Sequence, residues 1–282
     1  MRVLITGAEG QVGRELVEAF EGHAVDGVVA TGRRQLDVAD RDSVLQAICS
    51  VRPDAVVHAA AWTDVDGCEG DPGRALQVNA LGTRHVAEAA RLAGARLCYL
   101  STDYVFAGDA ATPYTEWDQT GPRSVYGRSK LGGERELGPD ATIVRTSWVC
   151  GRHGRNFVRT ILAAAAERDE LAVVDDQHGC PTFADDLAAM IVRLVVSRLP
   201  GTFHVTNQGA TTWYGLATAA LEAAGLDPAK VKPIATADLD PPRPAPRPAW
   251  SVLDNAALRL CGIPLLPDFH EPLERLVKQV AV

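Results

Sequence analysis

Val3-Leu4-Ile5-Thr6-Gly7-Ala8-Glu9-Gly10-Gln11-Val12-Gly13 places a short β-branched run before a GxxGxxG and the first residues of a helical pattern. Glycines at this spacing let a turn tighten, let backbone approach a bulky anion, and let the helix pack on the strand. The helix N-terminus adds unpaired N–H groups and a favourable dipole. Ordinary turn glycines would suffice for the turn alone. The strand before it and the helix after it favour a dinucleotide cradle, with Gly7, Gly10, Gln11 and Val12 as the contacts.

The same alternation continues outward. Short apolar runs at Val25–Ala30, Ala55–His58, Leu97–Ser101 and Thr142–Arg145 are separated by helical stretches at Val12–Phe20, Arg74–Ala93 and Tyr126–Glu136. Apolar strands joined by crossover helices predict an α/β fold, a Rossmann-type doubly wound parallel sheet covered on both faces. Beyond Gly151 the pattern is less regular, with helices at Phe157–Glu167, Ala184–Val196 and Tyr214–Ala224 and a strand at Thr202–Val205. A dinucleotide-binding domain over 1–150 is therefore expected, with a smaller substrate lobe over 151–282, some of whose segments return to the sheet. The stretch Asp238–Trp250, broken by Pro and Arg, reads as a long loop over a pocket or a solvated connector.

The chain has 282 residues, 46% of them hydrophobic, enough for a large core. A net charge of −8 and the lack of a basic run argue against a nucleic-acid surface. No apolar run reaches the length of a membrane span. Six scattered cysteines (Cys49, Cys68, Cys98, Cys150, Cys180, Cys261) without a CxxC pair suggest reduced thiols rather than a metal knot. The first strand follows Met1 directly, without the basic and apolar stretches of a signal peptide, so a cytoplasmic protein is expected.

Tyr126-Gly127-Arg128-Ser129-Lys130 is a YxxxK, which on a helix puts phenol and ammonium on one face. A neighbouring Lys⁺ is expected to favour the phenolate and lower its pKa, fitting the pair for proton transfer. Alone, the motif reads equally as an exposed aromatic and a solvated lysine. Upstream, Leu100-Ser101-Thr102-Asp103-Tyr104-Val105-Phe106 closes a strand at the carboxyl edge, where open α/β sheets bind ligands. After the second strand, Thr31-Gly32-Arg33-Arg34 offers Arg33 where an NADP site would meet the extra phosphate, favouring NADPH and leaving NADH open.

GxxGxxG, a Ser/Thr strand end and YxxxK, in that order, resemble the short-chain dehydrogenase/reductase family. Further segments resemble its dTDP-4-dehydrorhamnose reductase branch over nearly the whole chain: Ser101 to Phe106 as STDYVF, Ala59-Ala60-Ala61-Trp62 as the alanine-rich cofactor loop, Val78-Asn79-Ala80, and Arg145 to Gly151 followed by Asn156-Phe157. So do Asp176 to Thr182 and Arg247 to Asp254. Trp62 and Cys150 stand where that branch usually has Tyr. The resemblance implies Thr102, Tyr126 and Lys130 as catalytic residues, with Tyr126 and Lys130 also touching the cofactor. It adds Asp37, Val38, Ala59, Ala60 and Ala61 as cofactor contacts, although Asp37 also reads as a helix cap. It implies Thr102, Asp103, Val105, Trp148 and Asn156 as substrate contacts, with Trp148 reading equally as core. The implied reaction is reduction of a nucleotide-sugar ketone, dTDP-4-dehydro-6-deoxy-L-mannose, to dTDP-L-rhamnose. Another nucleotide-linked deoxysugar, or a regulatory role like that of the methionine adenosyltransferase β subunit, stays open. So does a homodimer bridged by Mg²⁺ at Glu15, Asp185 and Glu271 or Glu274; those positions read equally as solvated acids, and no metal ligand is assigned.

Overall fold

The computed structural model describes residues 1–23 and 25–280. Strands β1 (Arg2–Thr6), β2 (Gly27–Thr31), β3 (Ala55–His58), β4 (Arg96–Thr102), β5 (Thr142–Thr146) and β6 (Gly201–His204) form one sheet in the order β6-β5-β4-β3-β1-β2. Every pairing is parallel, so the α/β expectation holds. The longer helices are α1 (Gln11–Glu21), α2 (Arg41–Val51), α3 (Gly82–Ala93), α4 (Val125–Glu134), α5 (Phe157–Glu167), α6 (Ala184–Val196), α7 (Trp213–Ala223) and α8 (His270–Val280).

Alternation along the strands sorts the core. Val3 and Ile5 of β1 join Val57, Leu100 and Val144 under Leu16, Leu187 and Ile191 of α1 and α6. Leu4 and Val56 face the other way, onto Val44 and Ile48 of α2 and Val86 and Ala89 of α3. Burying each such side chain is worth about 1.5–3 kcal/mol, so both faces are strongly covered. From β1 the chain passes to β2 on one side and then crosses back to β3 on the other. Their carboxyl ends therefore part at a switch point, where this class of sheet opens its ligand crevice.

Several elements depart from the sequence reading. The stretch read as one helix from Arg74 to Ala93 is a short helix Pro72–Leu76, a π turn Gln77–Leu81 and α3. The wider turn accompanies Asn79, whose amide clamps both the N–H and the carbonyl of Trp62 and bonds Ser129. Helix α2 was not read as an element, and its cap is Asp40, which accepts from Asp42 N and Ser43 N, rather than Asp37. Helix α8 was not read at all, despite Leu273, Leu276, Val277 and Val280 at helical spacing.

Helices α5, α7 and α8 pack around Cys150, Val158, Phe183 and Leu216, beside a parallel pair Leu171–Val174 and Val231–Ile234. The stretch Asp238–Trp250 is a loop fixed at several points. Ala245 N and Arg247 Nη2 donate to Asp66 at 3.1 and 2.8 Å, and Trp250 Nε1 donates to Thr112 O at 2.9 Å.

Candidate active site

A cleft of about 650 Å³ runs along the carboxyl edge of the sheet, from Arg33 and Asp37 past the glycine loop to Tyr126, Trp148 and Trp213. Gly7 takes φ +69°, and a Cβ there would lie 2.7 Å from Ala60 Cα. A Cβ on Gly13 would lie 2.1 Å from Gly7 O, so the turn needs both glycines. Gly10 caps α1 without any side-chain hydrogen bond, which leaves the first-turn amides facing the cleft. That cradle fits a dinucleotide pyrophosphate. Gln11 donates to Val149 O at 2.9 Å and accepts from Asn156 Nδ2 at 3.0 Å. Val12, Val38, Ala59, Ala60 and Ala61 also line the wall.

Arg33 is exposed at the β2 end of the cleft. If it holds a 2′-phosphate, Arg33→Ala raises the KM for NADPH about tenfold, the loss of one charge-assisted contact, and leaves that for NADH unchanged. Equal effects on both cofactors in steady-state kinetics would remove Arg33 from that role.

At the other end, β4 delivers Thr102 and α4 delivers Tyr126 and Lys130. Ser124 caps α4 by accepting from Gly127 N at 3.0 Å. Gly127 is obligatory, because a Cβ would sit 2.2 Å from Tyr104 O. Lys130 Nζ donates to Leu100 O at 2.7 Å and lies 4.1 Å from the Tyr99 ring centroid. Burial lowers its pKa to about 7, against the charge of Glu134 one turn along. The expected lysine effect on Tyr126 is therefore corrected: burial first, then the Asp103 charge, pushes the phenol well above its ordinary value. A neutral phenol is a proton donor, which is the state a ketone reduction needs. His58, between Thr6 and Thr83, is held neutral by burial, with its pKa lowered to about 3.

Ser101 and Arg145 are register partners of β4 and β5 and both bind Glu134. Arg145 donates to its two oxygens at 2.9 and 2.7 Å, and Ser101 Oγ donates at 2.5 Å. Thr102 and Thr146, the next register pair, line the cleft. Thr102 Oγ1 donates to Asp103 Oδ1 at 2.9 Å and accepts from Tyr104 N at 3.2 Å. Burial raises the Asp103 carboxyl to about 6.

Trp148 and Trp213 stack with centroids 3.6 Å apart and planes 8° apart, and Phe157 leans on Trp213 at 4.6 Å. All three line the cleft, as do Thr102 and Asp103. Two residues expected there lie elsewhere. Val105 is fully buried with Phe106, Tyr114, Leu131 and Leu253. Asn156 caps α5 through Arg159 N and bonds Gln11 and Gly151 O. Trp213 was missed, although a tryptophan just after the Thr212 cap was a visible anomaly.

Two of the acids considered for Mg²⁺ are paired with arginines. Glu15 receives Arg152 Nε and Nη2 at 2.9 and 3.0 Å, and Asp185 receives Arg275 Nε at 2.9 Å. Among the described residues no three His, Cys, Asp or Glu converge as a metal site.

A switch-point cleft with a glycine cradle at one end, and a Thr, Tyr and Lys at the other, defines a nicotinamide-dependent oxidoreductase of the extended short-chain dehydrogenase/reductase kind. The chain belongs to the family described as RmlD substrate binding domain, which matches residues 1–282. It is 45% identical over 281 residues to a dTDP-4-dehydrorhamnose reductase of Streptomyces griseus, covering 96% of this chain and 91% of that one. It is 44% identical to a Streptomyces antibioticus protein named "Probable dTDP-4,6-dihydroxy-2-methyloxan-3-one 4-ketoreductase", covering 97% and 93%. A Bacillus anthracis dTDP-4-dehydrorhamnose reductase solved in complex with NADP superposes with a TM-score of 0.93 at 38% identity over 99% of each chain.

Proposed function

We propose that this chain reduces the C4 ketone of dTDP-4-dehydro-6-deoxy-L-mannose to dTDP-L-rhamnose, with NADPH as reductant. The convergence of Thr102, Tyr126 and Lys130 at one end of a dinucleotide cleft, beside an aromatic wall, carries this reading. A reduced nicotinamide, when bound, supplies hydride to the carbonyl carbon. Tyr126 keeps its proton in the buried site and gives it to the oxygen as alkoxide character develops. The Thr102 hydroxyl turns its proton from Asp103 to the same oxygen, and Lys130 holds positive charge beside the nicotinamide ribose.

A C4 ketone on another dTDP-linked deoxysugar is the second reading, favoured by the similarity to the Streptomyces antibioticus relative. NADPH oxidation, followed with dTDP-4-dehydro-6-deoxy-L-mannose generated in the same vessel, separates the two. Rapid oxidation yielding dTDP-L-rhamnose is expected. NADPH binding with turnover only on other keto sugars would transfer the assignment to them. No oxidation with any nucleotide sugar, together with co-purification of a synthetase, would favour the regulatory role.

A further inference from the structure

Thr146 Oγ1 is buried without a hydrogen-bond partner, and the residue is 7% exposed. Its neighbours are satisfied: Thr6 bonds His58, Thr83 donates to Asn79 O, Thr142 to Leu199 O, Ser129 to Tyr126 O and Ser147 to Cys180 O. Thr182 Oγ1 is also unpartnered but does not line the cleft, whereas Thr146 does. A buried hydroxyl left unpaired is costly, and such groups persist where something else completes them.

Its position indicates what completes it. Thr146 is the register partner of Thr102, and registered residues of parallel strands project to the same face. It ends β5, three strands from the β1 glycine loop and four from β2, where Arg33 marks the adenosine end. A cofactor laid along this edge, adenosine at β2 and pyrophosphate over α1, brings its nicotinamide to β4 and β5. We infer that Thr146 is a positioning residue whose hydroxyl hydrogen-bonds the nicotinamide carboxamide, a group that offers both donor and acceptor, and thereby fixes the ring beside Thr102 and Tyr126. The inference rests on the cofactor reading given above.

Binding alone tests it. Trp62, Trp148 and Trp213 line the cleft, so ligand affinities are read from quenching of intrinsic fluorescence without any turnover. Thr146→Val weakens NADPH roughly 3- to 10-fold, the worth of one neutral hydrogen bond. It leaves 2′,5′-ADP, which lacks the nicotinamide half, unchanged, and Thr146→Ser restores NADPH affinity. The thermal midpoint of the unliganded Val variant equals or exceeds the parent's, because the hydroxyl has no partner to lose. Equal weakening of NADPH and 2′,5′-ADP, or unchanged NADPH affinity with a raised KM for the nucleotide sugar, overturns the inference. A parent chain that binds neither ligand overturns the cofactor reading itself.

Discussion

Tyr126→Phe lowers kcat about a thousandfold, within the range general acids contribute, while the NADPH dissociation constant stays within about threefold because the phenol proton serves the substrate oxygen and not the cofactor. The ring is 9% exposed and packs edge-on against Tyr104 at 5.6 Å, contacts that phenylalanine keeps. Only the proton is removed. Burial and the Asp103 charge both favour the neutral phenol, so the parent carries that proton across the neutral range. Single-turnover reduction separates the chemical step from binding. A variant that keeps a tenth or more of parental kcat would show that the proton comes from elsewhere, with the Thr102–Asp103 pair the nearest source.

What the sequence displayed were features that need a particular residue type at a fixed local spacing. Gly7 and Gly13 are demanded by a positive φ and by a carbonyl 2.1 Å from an added Cβ, and such demands leave glycine in the text. The YxxxK spacing is likewise a property of one helix. The Trp148–Trp213 stack joins residues 65 positions apart, and nothing local to either marks the other. Asn156 carries a second reading that the sequence also displayed: an asparagine immediately before Phe157-Val158-Arg159 is a legible N-cap, and its side chain does cap that helix. The sign of the Tyr126 shift was not legible either. It depends on how deeply α4 sinks against β4 and on the Asp103 charge, neither of which the local spacing displays.

Glu134 shows how far such hidden pairings reach. Its side chain and that of Arg145 are 6% and 7% exposed and bidentately paired, and Ser101 donates to the same carboxylate. Glu134→Ala leaves a buried guanidinium uncompensated and costs about 3–5 kcal/mol. In a chain of this size that is a fall in Tm on the order of 10 °C. Replacing both partners, as Glu134→Leu with Arg145→Met, recovers part of that loss, since apolar pairs of similar volume commonly match a buried ion pair, while the stranded Ser101 hydroxyl still costs about 1–3 kcal/mol. The double variant remains altered at the cofactor site. Burial lowers Lys130 to about 7 and the Glu134 charge opposes that shift, so without Glu134 the ammonium loses its proton at a lower pH. Lys130⁺ attracts an anionic cofactor, and NADPH affinity is therefore highest below the lysine pKa and falls as pH rises through it. In the parent that fall is centred near 7, and in the double variant it moves to lower pH. The linkage to folding runs the other way. Between about 7 and the ordinary lysine value of 10.5 the unfolded chain binds the extra proton, so this group's contribution to stability rises with pH. NADPH dissociation constants measured from pH 5.5 to 9 on the refolded double variant decide the matter, for a profile that coincides with the parent's would mean that Glu134 holds Arg145 in place and does not tune Lys130.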